Sequence, residues 1–316
     1  MNVDNFVRAE TDRMFSDLQR DAGGVNSLLH NREPAAIDHQ TVIRLNRDTL
    51  YSFAVVDISE GATLTLPEHG DRYVSAMIVD QDHHVGGAIY HEAGGKHRLE
   101  TSRFGSSHVG VAVRTLVDPI DPDDLKAVAE IQDAIVIDAG AARPFVAPDY
   151  DKASLDATRT ALLQLAAGLT GFDAMFGTPD EVDPVRHLIG TAAGWGGGLP
   201  SREASYIGVA PEAPAGNYEL TLADVPVDGF WSVSVYNAQG FFEPNSRNSY
   251  TVNNITAEPN PDGSFTVRFG GDFPEGDSQR HPHTGGLELP RAPVPAPGPK
   301  SPTAAGSCRR SDPFPE

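Results

Sequence analysis

Hydrophobic and polar positions change their period three times along the chain. Over residues 4–20, Phe6, Met14, Phe15 and Leu18 recur at helical spacing among charged residues. This predicts an amphipathic helix with Asp4 as N-cap, broken by the pair Gly23 and Gly24. From about Thr41 the period shortens to that of strands. VIRLNRDTLYSFAVVDI, ATLTLP, RYVSAMIVDQD, GGAIYHE, KHRLETS and HVGVAVRTLV are short runs rich in Val, Ile, Thr and Tyr, with turn residues at 60–61, 69–70 and 94–95 between them. Such runs predict antiparallel strands over about 35–118 rather than βαβ units. Helical spacing returns through Leu125, Val128, Ile131 and Ile135, then over about 153–169 with Leu162, Leu163 and Leu165, and for a further turn over 179–195 that ends in the glycines at 196–198. Beyond about 205, ASYIGVA, GNYELTLADV, GFWSVSVYNAQG, NSYTVNNITA and GSFTVRFGG again alternate. Pro261, Asp262 and Gly263 give the clearest hairpin signal. The expected divisions are a lead-in over 1–34, a first β-domain over 35–118, a helical connector over 119–199, a second β-domain over 200–277 and a tail over 278–316.

Charge narrows the partners. The 316 residues carry a formal net charge of −20. Phosphate backbones and anionic membrane surfaces both need a basic surface, so neither nucleic acid nor such a membrane is expected as a partner. Acidity reads either as solubility or as a sign of a special partner. The one cysteine, Cys308, excludes an internal disulfide framework or a cysteine metal site. The first fifteen residues have no apolar run of signal length, and nothing approaches about 18 uninterrupted apolar residues. As written the chain is expected to be cytoplasmic, or periplasmic or secreted if translation starts upstream.

Four groups of residues could carry chemistry. Asp80, Asp82, His83 and His84, with His91 further on, could act as acid and base or hold a divalent metal, although no zinc-type spacing is present. The plainer reading is a hydrogen-bonded histidine at a strand end. Asn46, Arg47, Asp48 and Tyr51 precede a strand, as either a ligand-facing loop or an Asx turn. Arg186 and His187 either face a ligand cleft between two domains or hold the helical segment against them. Trp231, Tyr236, Asn245, Arg247 and Tyr250 combine aromatic, amide and guanidinium groups suited to sugars, yet Trp231 and Tyr236 have opposite parity along one strand, which places one of them in a core. No GxSxG, Walker or GxGxxG motif occurs, no lysine follows the glycine run at 196–198, and no cofactor is identified.

Several of these blocks carry a resemblance. NRDTLYS at 46–52, RYVSAMIVDQDHH at 72–84, RTLVDP at 114–119, DEVDPVRHLIGTAAGWGG at 180–197 and DVPVDGFWSVSVYNAQGFFE at 224–243 resemble, in order, the bacterial and archaeal family that pairs the domains of unknown function 1254 and 1214. The resemblance implies a mainly β protein, an immunoglobulin-like sandwich followed by a jelly-roll-like sandwich with a helical connector. It adds Arg114 to the ligand-binding candidates, implies no settled activity, and shows position 84 to be commonly Tyr where this chain has His84. Members close their second domain with a segment like IPI-PGWNY-VRLYRPR. Here residues 281–316 instead hold nine of the 25 prolines. Written in synonymous codons and shifted by one nucleotide, residues 278–287 read Ala-Asn-Ala-Ile-Pro-Ile-Pro-Gly-Gly-Trp. The tail is therefore expected to be out of frame and disordered.

The expected function is binding of a small polar molecule or carbohydrate between the two domains, with Asn46, Arg47, Tyr51, Arg114, Arg186, His187, Trp231, Tyr236 and Asn245 as ligand contacts. A hydrolase using Asp48, Asp82 and His83, with or without a metal, is the alternative, and a scaffold without a small ligand is a third. A homo-oligomer is compatible with each.

Overall fold

The structure, a computed structural model, describes residues 1–40, 44–85, 94–167, 169, 171–194, 198–207, 216–237, 239–245 and 247–270, with backbone alone for 89–90, 280–281 and 307–310. Helix and strand each make up 23% of the chain, and the sheets are largely antiparallel. The expectation of a mainly β chain is thereby corrected to an even mixture. The chain divides into two compact units. Unit 1 comprises Met1–Arg32, Thr49–Val117 and Asp121–Ser201, and unit 2 comprises Glu33–Asp48, Asp118–Ile120 and Arg202–Glu316.

Unit 1 contains α1 (Phe6–Asp21), β1 (Leu29–His30), β2 (Thr49–Asp57), β3 (Ala62–Leu66), β4 (Val74–Val79), β5 (Ile89–Tyr90), β6 (Gly95–Leu99), α2 (Thr101–Phe104), β7 (His108–Leu116), α3 (Pro122–Asp133), β8 (Val136–Ala139), α4 (Lys152–Ala166) and α5 (Pro184–Ala193). A five-stranded antiparallel sheet has the order β1-β2-β7-β4-β5, and a three-stranded one the order β6-β3-β8. Strand alternation sends Ala54, Val56, Ile78, Val111 and Val113 to one face of the larger sheet, where they meet Leu64, Leu66 and Leu99 of the smaller in one buried core.

The opposite face of the larger sheet is covered by α1. Gly110 lies on that face, and a Cβ there would stand 2.9 Å from Cε1 of Phe15, so only glycine lets the helix approach this closely. The other side of α1 packs Phe6 and Ala9 against Leu155 and Leu162 of α4 and Ile189 and Ala192 of α5. Each phenylalanine so buried stabilises the fold by about 2–3 kcal/mol. This packing corrects the expected connector. The helices of residues 122–193 belong to unit 1: the apolar faces of α4 and α5 close on α1, and Val128 of α3 packs with Leu50 and Val117. It also corrects the N-cap, which is Asn5 rather than Asp4 and makes no side-chain cap bond. Asp121, Asp151 and Asp183 do cap α3, α4 and α5, each accepting from a backbone N–H of the first turn.

Unit 2 contains β9 (Tyr218–Leu222), β10 (Ser232–Ser234), β11 (Thr251–Asn253), β12 (Phe265–Phe269), β13 (Arg280–His281) and β14 (Ser307–Arg310). One sheet has the order β13-β12-β9-β14 and the other is β10-β11. Leu220, Trp231, Val233, Val252, Val267 and Phe269 from both sheets form its core. Three expectations change here. Residues 204–207 of ASYIGVA are not a strand, and 208–210 lie outside the described residues. The turn at 261–263 forms, with Gly263 at φ 82°, but it joins strands of different sheets instead of closing a hairpin. The tail, expected to be without order, pairs Ser307–Arg310 antiparallel with β9 and Arg280–His281 parallel with β12. An open strand edge offers a row of unpaired N–H and C=O groups, and these tail segments take them up.

Candidate functional site

Each unit buries one polar centre. In unit 1 the centre grows from α1. Because that helix is packed on two sides, Glu10, Thr11 and Asp12 are all buried. The Asp12 carboxylate accepts from Nε2 of Gln81 at 2.8 Å and from the Tyr150 hydroxyl at 2.7 Å. Burial, and next that bond, raise the Tyr150 phenol above its ordinary range. Oε1 of Glu10 accepts from Arg13 at 2.6 Å and Arg159 at 3.0 Å.

Above this helix stands the turn after β4, the Asp-Gln-Asp-His-His stretch. Oδ1 of Asp80 accepts from the backbone N–H groups of Asp82 (2.8 Å) and His84 (2.9 Å), so Asp80 is an Asx-type turn residue. His83 takes the left-handed conformation, φ 62°, inside that turn. Such backbone costs roughly 1–3 kcal/mol and is kept only where the surroundings enforce it. They do so here. The Thr11 hydroxyl donates to the Val7 carbonyl at 2.8 Å, which spends its one proton, so Nδ1 of His83 donates to Thr11 at 2.9 Å. Burial first, and the neighbouring His187 second, push the His83 imidazole down to about 3, so it is neutral at ordinary pH.

His187, also buried, reaches from α5 to two backbone carbonyls, that of Met175 from Nδ1 at 2.8 Å and that of Asp82 from Nε2 at 2.9 Å. The His84 ring stacks on it at 4.7 Å and 4°. Asp82 itself turns outward, where its carboxylate takes both Nε and Nη2 of Arg8 at 2.8 and 2.6 Å.

In unit 2 the centre is Asp48, fully buried. Asn46 turns the chain just before it, accepting from the Asp48 N–H at 2.9 Å. Oδ1 of Asp48 accepts from the Thr251 hydroxyl at 2.8 Å and from Nδ2 of Asn253 at 3.0 Å, both on β11. Oδ2 is buried and has no hydrogen-bond partner. Burial raises the Asp48 carboxyl above the usual range, and the neighbouring Thr251, Ser232 and Asn253 side chains oppose that rise. Arg47 is nearly buried too, stacked over the Tyr250 ring at 5.2 Å with Nη1 donating to the Ala35 carbonyl, and burial lowers its guanidinium.

The expected site residues are divided between the units. Asp82 and His83 fall in unit 1 with Arg114, Arg186, His187 and Tyr51, whereas Asn46, Arg47, Asp48, Trp231, Tyr236 and Asn245 fall in unit 2. Trp231 lies in the core edge-on to Phe265, and Tyr236 lies in a separate cluster with Phe242 and Tyr250, its hydroxyl donating to the Leu45 carbonyl at 2.9 Å. Parity predicts one ring in a core, but both lie in packed interiors, and neither is free to stack on a sugar. Asn245 is spent within its loop, accepting from Arg247 and Ser249 N–H groups and donating to the Ser249 carbonyl. Arg186 donates to the Asp173 and Gly171 carbonyls. Tyr51 stacks on Phe53 at 5.3 Å, and Arg114, its cross-strand partner, donates to the Tyr73 hydroxyl at 3.1 Å. Among the described residues no group of three or more His, Cys, Asp or Glu is placed to hold a metal ion, and His91 lies outside them. Among them, too, no helix is long and apolar enough to cross a membrane.

Sequence reasoning misses Glu10, Thr11 and Asp12, which read as the solvated side of an amphipathic helix. The signal is available in the size of α1's apolar set, since Phe6 and Ala9 on one side and Met14 and Phe15 on the other leave little of the helix for water.

The fold and these two centres define a two-unit protein of helices and antiparallel sheets with a buried polar core in each unit. Residues 25–102 match the family described as a protein of unknown function, DUF1254, and residues 210–283 the one described as a protein of unknown function, DUF1214. The two matches lie along the chain in N-terminal to C-terminal order, DUF1254 first and DUF1214 second. No curated protein matches it. Among solved structures it is similar to the VPA0106 protein from Vibrio parahaemolyticus, at 17% identity and a TM-score of 0.69 over 94% of this chain and 96% of that one. It is also similar to an uncharacterized protein from Burkholderia cenocepacia, at 14% identity and a TM-score of 0.52 over 96% of this chain and 86% of that one. At such identities the likeness is one of fold.

Proposed function

We propose that the protein binds a small polar ligand bearing hydroxyl or ammonium groups, and that Asp48 is its anchor. One observation carries this reading: Oδ2 of Asp48 is buried without a hydrogen-bond partner while Oδ1 holds two. A buried carboxyl oxygen left unmatched is costly, and a polar group from a ligand would relieve that cost. Arg47, whose guanidinium lies over the Tyr250 ring, acts on the Asp48 carboxyl electrostatically. The oxygen is sealed in this conformation, so the reading requires that the surrounding loop open before the site fills. In the same reading unit 1 is an immunoglobulin-like sandwich and unit 2 a jelly-roll-like one, supported by the single core that each pair of sheets shares. Residues 278–316 are taken to be read out of frame, which resequencing of the locus tests.

The hydrolase reading has less support. The Thr11 proton is directed at Val7 and cannot pass to His83, and the Asp82 carboxylate is engaged by Arg8.

A thermal-shift screen of the full chain with sugars, polyols, amines and organic acids tests the proposal, because a ligand that binds only the folded state raises Tm. Support is a ligand that raises Tm of the wild type and loses that effect in Asp48→Asn while circular dichroism stays unchanged. No shift across the panel, or an equal shift in both proteins, overturns the proposal and favours a scaffold.

A further inference from the structure

The two contacts of His187 carry a second, independent conclusion. Both of its ring nitrogens face carbonyl oxygens, at 2.8 and 2.9 Å, and a carbonyl oxygen only accepts. A neutral imidazole has one N–H and one lone pair. It would satisfy one carbonyl and press its lone pair against the other inside a buried site. Only the imidazolium donates to both. We propose that His187 is a protonation-dependent staple that ties the turn of residues 80–85 to the loop of residues 172–177.

The two segments it joins already touch at one further point, where the Val85 N–H donates to the Gly177 carbonyl at 2.9 Å. The 172–177 loop also carries Phe176, whose ring lies against Gly190, Gly194 and Gly198. Holding this loop therefore holds the end of α5. The charged and titratable groups around the staple come from four elements. From the turn these are Asp80, with Oδ2 3.6 Å from Nδ1 of His84, and also His83, the stacked His84, and Asp82. From α1 there is Arg8, which engages the Asp82 carboxylate. From α5 and its cap there are Arg186, bonded to carbonyls of the 171–173 stretch, and Asp183, bonded to N–H groups of Val185 and Arg186. From the loop there are Asp173, which accepts from Ser201, and Glu181, which accepts from the Thr178 N–H. Asp80 lies against Nδ1 of the stacked His84 and not against His187, and His83 is neutral, so the two carbonyls are the groups that directly favour a proton on His187. When the proton leaves, one carbonyl loses its donor, and either the turn or the loop is released. The staple is therefore closed on the acid side and opens as pH rises.

The test uses the full chain labelled with 15N-histidine, followed from about pH 5.5 to about pH 8.5, the range in which histidines commonly titrate. Both ring nitrogens of His187 should carry protons at the acid end and one should lose its proton toward the basic end. Over the same interval, hydrogen-exchange protection corrected for intrinsic rates should fall about tenfold or more in residues 80–85 and 172–177, with β2 and β7 unchanged. In His187→Gln, whose amide has donors at one end only, protection should be low at the acid end and indifferent to pH. A His187 that stays neutral in one tautomer throughout, or that titrates without a change in protection, overturns the proposal. Should His187→Gln fail to fold, the wild-type titration and exchange decide alone.

Discussion

The histidines of the first buried centre and the aspartate of the second differ in what they leave unmatched. In unit 1 the histidines have partners for the protons they carry. His83 donates to Thr11, and His187 spans two carbonyls. In unit 2 Asp48 has two donors on one oxygen and none on the other. Polar groups enter a protein interior at a cost that hydrogen bonds offset. The histidines of the first centre therefore read as an internal fastening and Asp48 as an interaction still to be completed. Glu10 of unit 1 repeats the Asp48 pattern, with two donors on Oε1 and none on the buried Oε2, but both of its donors are arginines, whereas those of Asp48 are a neutral hydroxyl and a neutral amide. The lesson is that burial of chemistry-bearing residues is not by itself a sign of function, and that it has to be read atom by atom together with the charge of the donors.

The largest test of this contrast is acid. His83 is neutral in the fold down to about 3, whereas an unfolded histidine titrates near 6.5. Below that value the unfolded state takes up the proton first. The stability owed to neutral His83 is complete above about pH 6.5 and declines as pH falls toward 3, by up to roughly 5 kcal/mol. Urea unfolding between about pH 8 and pH 4 should show this slope in the wild type and a flatter one in His83→Gln. Equal slopes would break the account of unit 1. The difference between the two proteins isolates His83 from every other titrating group.

Thr11→Val comes next. It keeps the shape but leaves the Nδ1–H of His83 buried without an acceptor, at about 1–3 kcal/mol in denaturant unfolding. In unit 2, Asp48→Ala strands the Thr251 hydroxyl and the Asn253 amide and should cost a similar ~1–3 kcal/mol. Asp48→Asn keeps an acceptor for both and should be far milder. Its sign with pH also follows. Because burial raises the Asp48 carboxyl, its contribution is full below the ordinary carboxylate range and is lost as pH rises through the folded value. Asp48→Asn should therefore gain on the wild type as pH goes up, and a constant offset across pH would mean that Asp48 is not held in its neutral form. The smallest effect is Arg8→Ala. That bidentate pair with Asp82 is about half exposed, so its loss should cost no more than about 1 kcal/mol and fade in high salt.

How much of this is legible in the sequence depends on the distance over which each feature is made. Strand alternation locates β2, β4 and β7, and helical spacing locates α3 and α4, since both signals are local. Turn chemistry is half legible: the sequence allows Asn46 to be either a ligand-facing residue or an Asx turn, and it is the turn. The partners of His187 are not legible, because Met175 and Asp82 lie 12 and 105 residues away and offer backbone carbonyls, which every residue has. Asp48 stands out in the sequence, but its partners Thr251 and Asn253, 203 and 205 residues on, do not. Trp231 and Tyr236 mislead because aromatic composition says nothing about which face is already occupied. A strand with packing on both sides buries either parity.

Phe176 carries one more consequence. A Cβ on Gly194 or Gly198 would stand 2.5 or 2.2 Å from its ring, and one on Gly190 would stand 3.3 Å from the ring and 2.8 Å from the Met175 side chain. These positions are one lock spread over four places in the chain. Their tolerance is set jointly: an alanine at Gly194 alone is a wedge, whereas the same alanine beside Phe176→Ala has room. Genetic suppression should therefore run between Phe176 and both Gly194 and Gly198, whereas Gly190 is held first by Met175, and a mutational scan that scores each site singly would mistake a mutual fit for separate requirements.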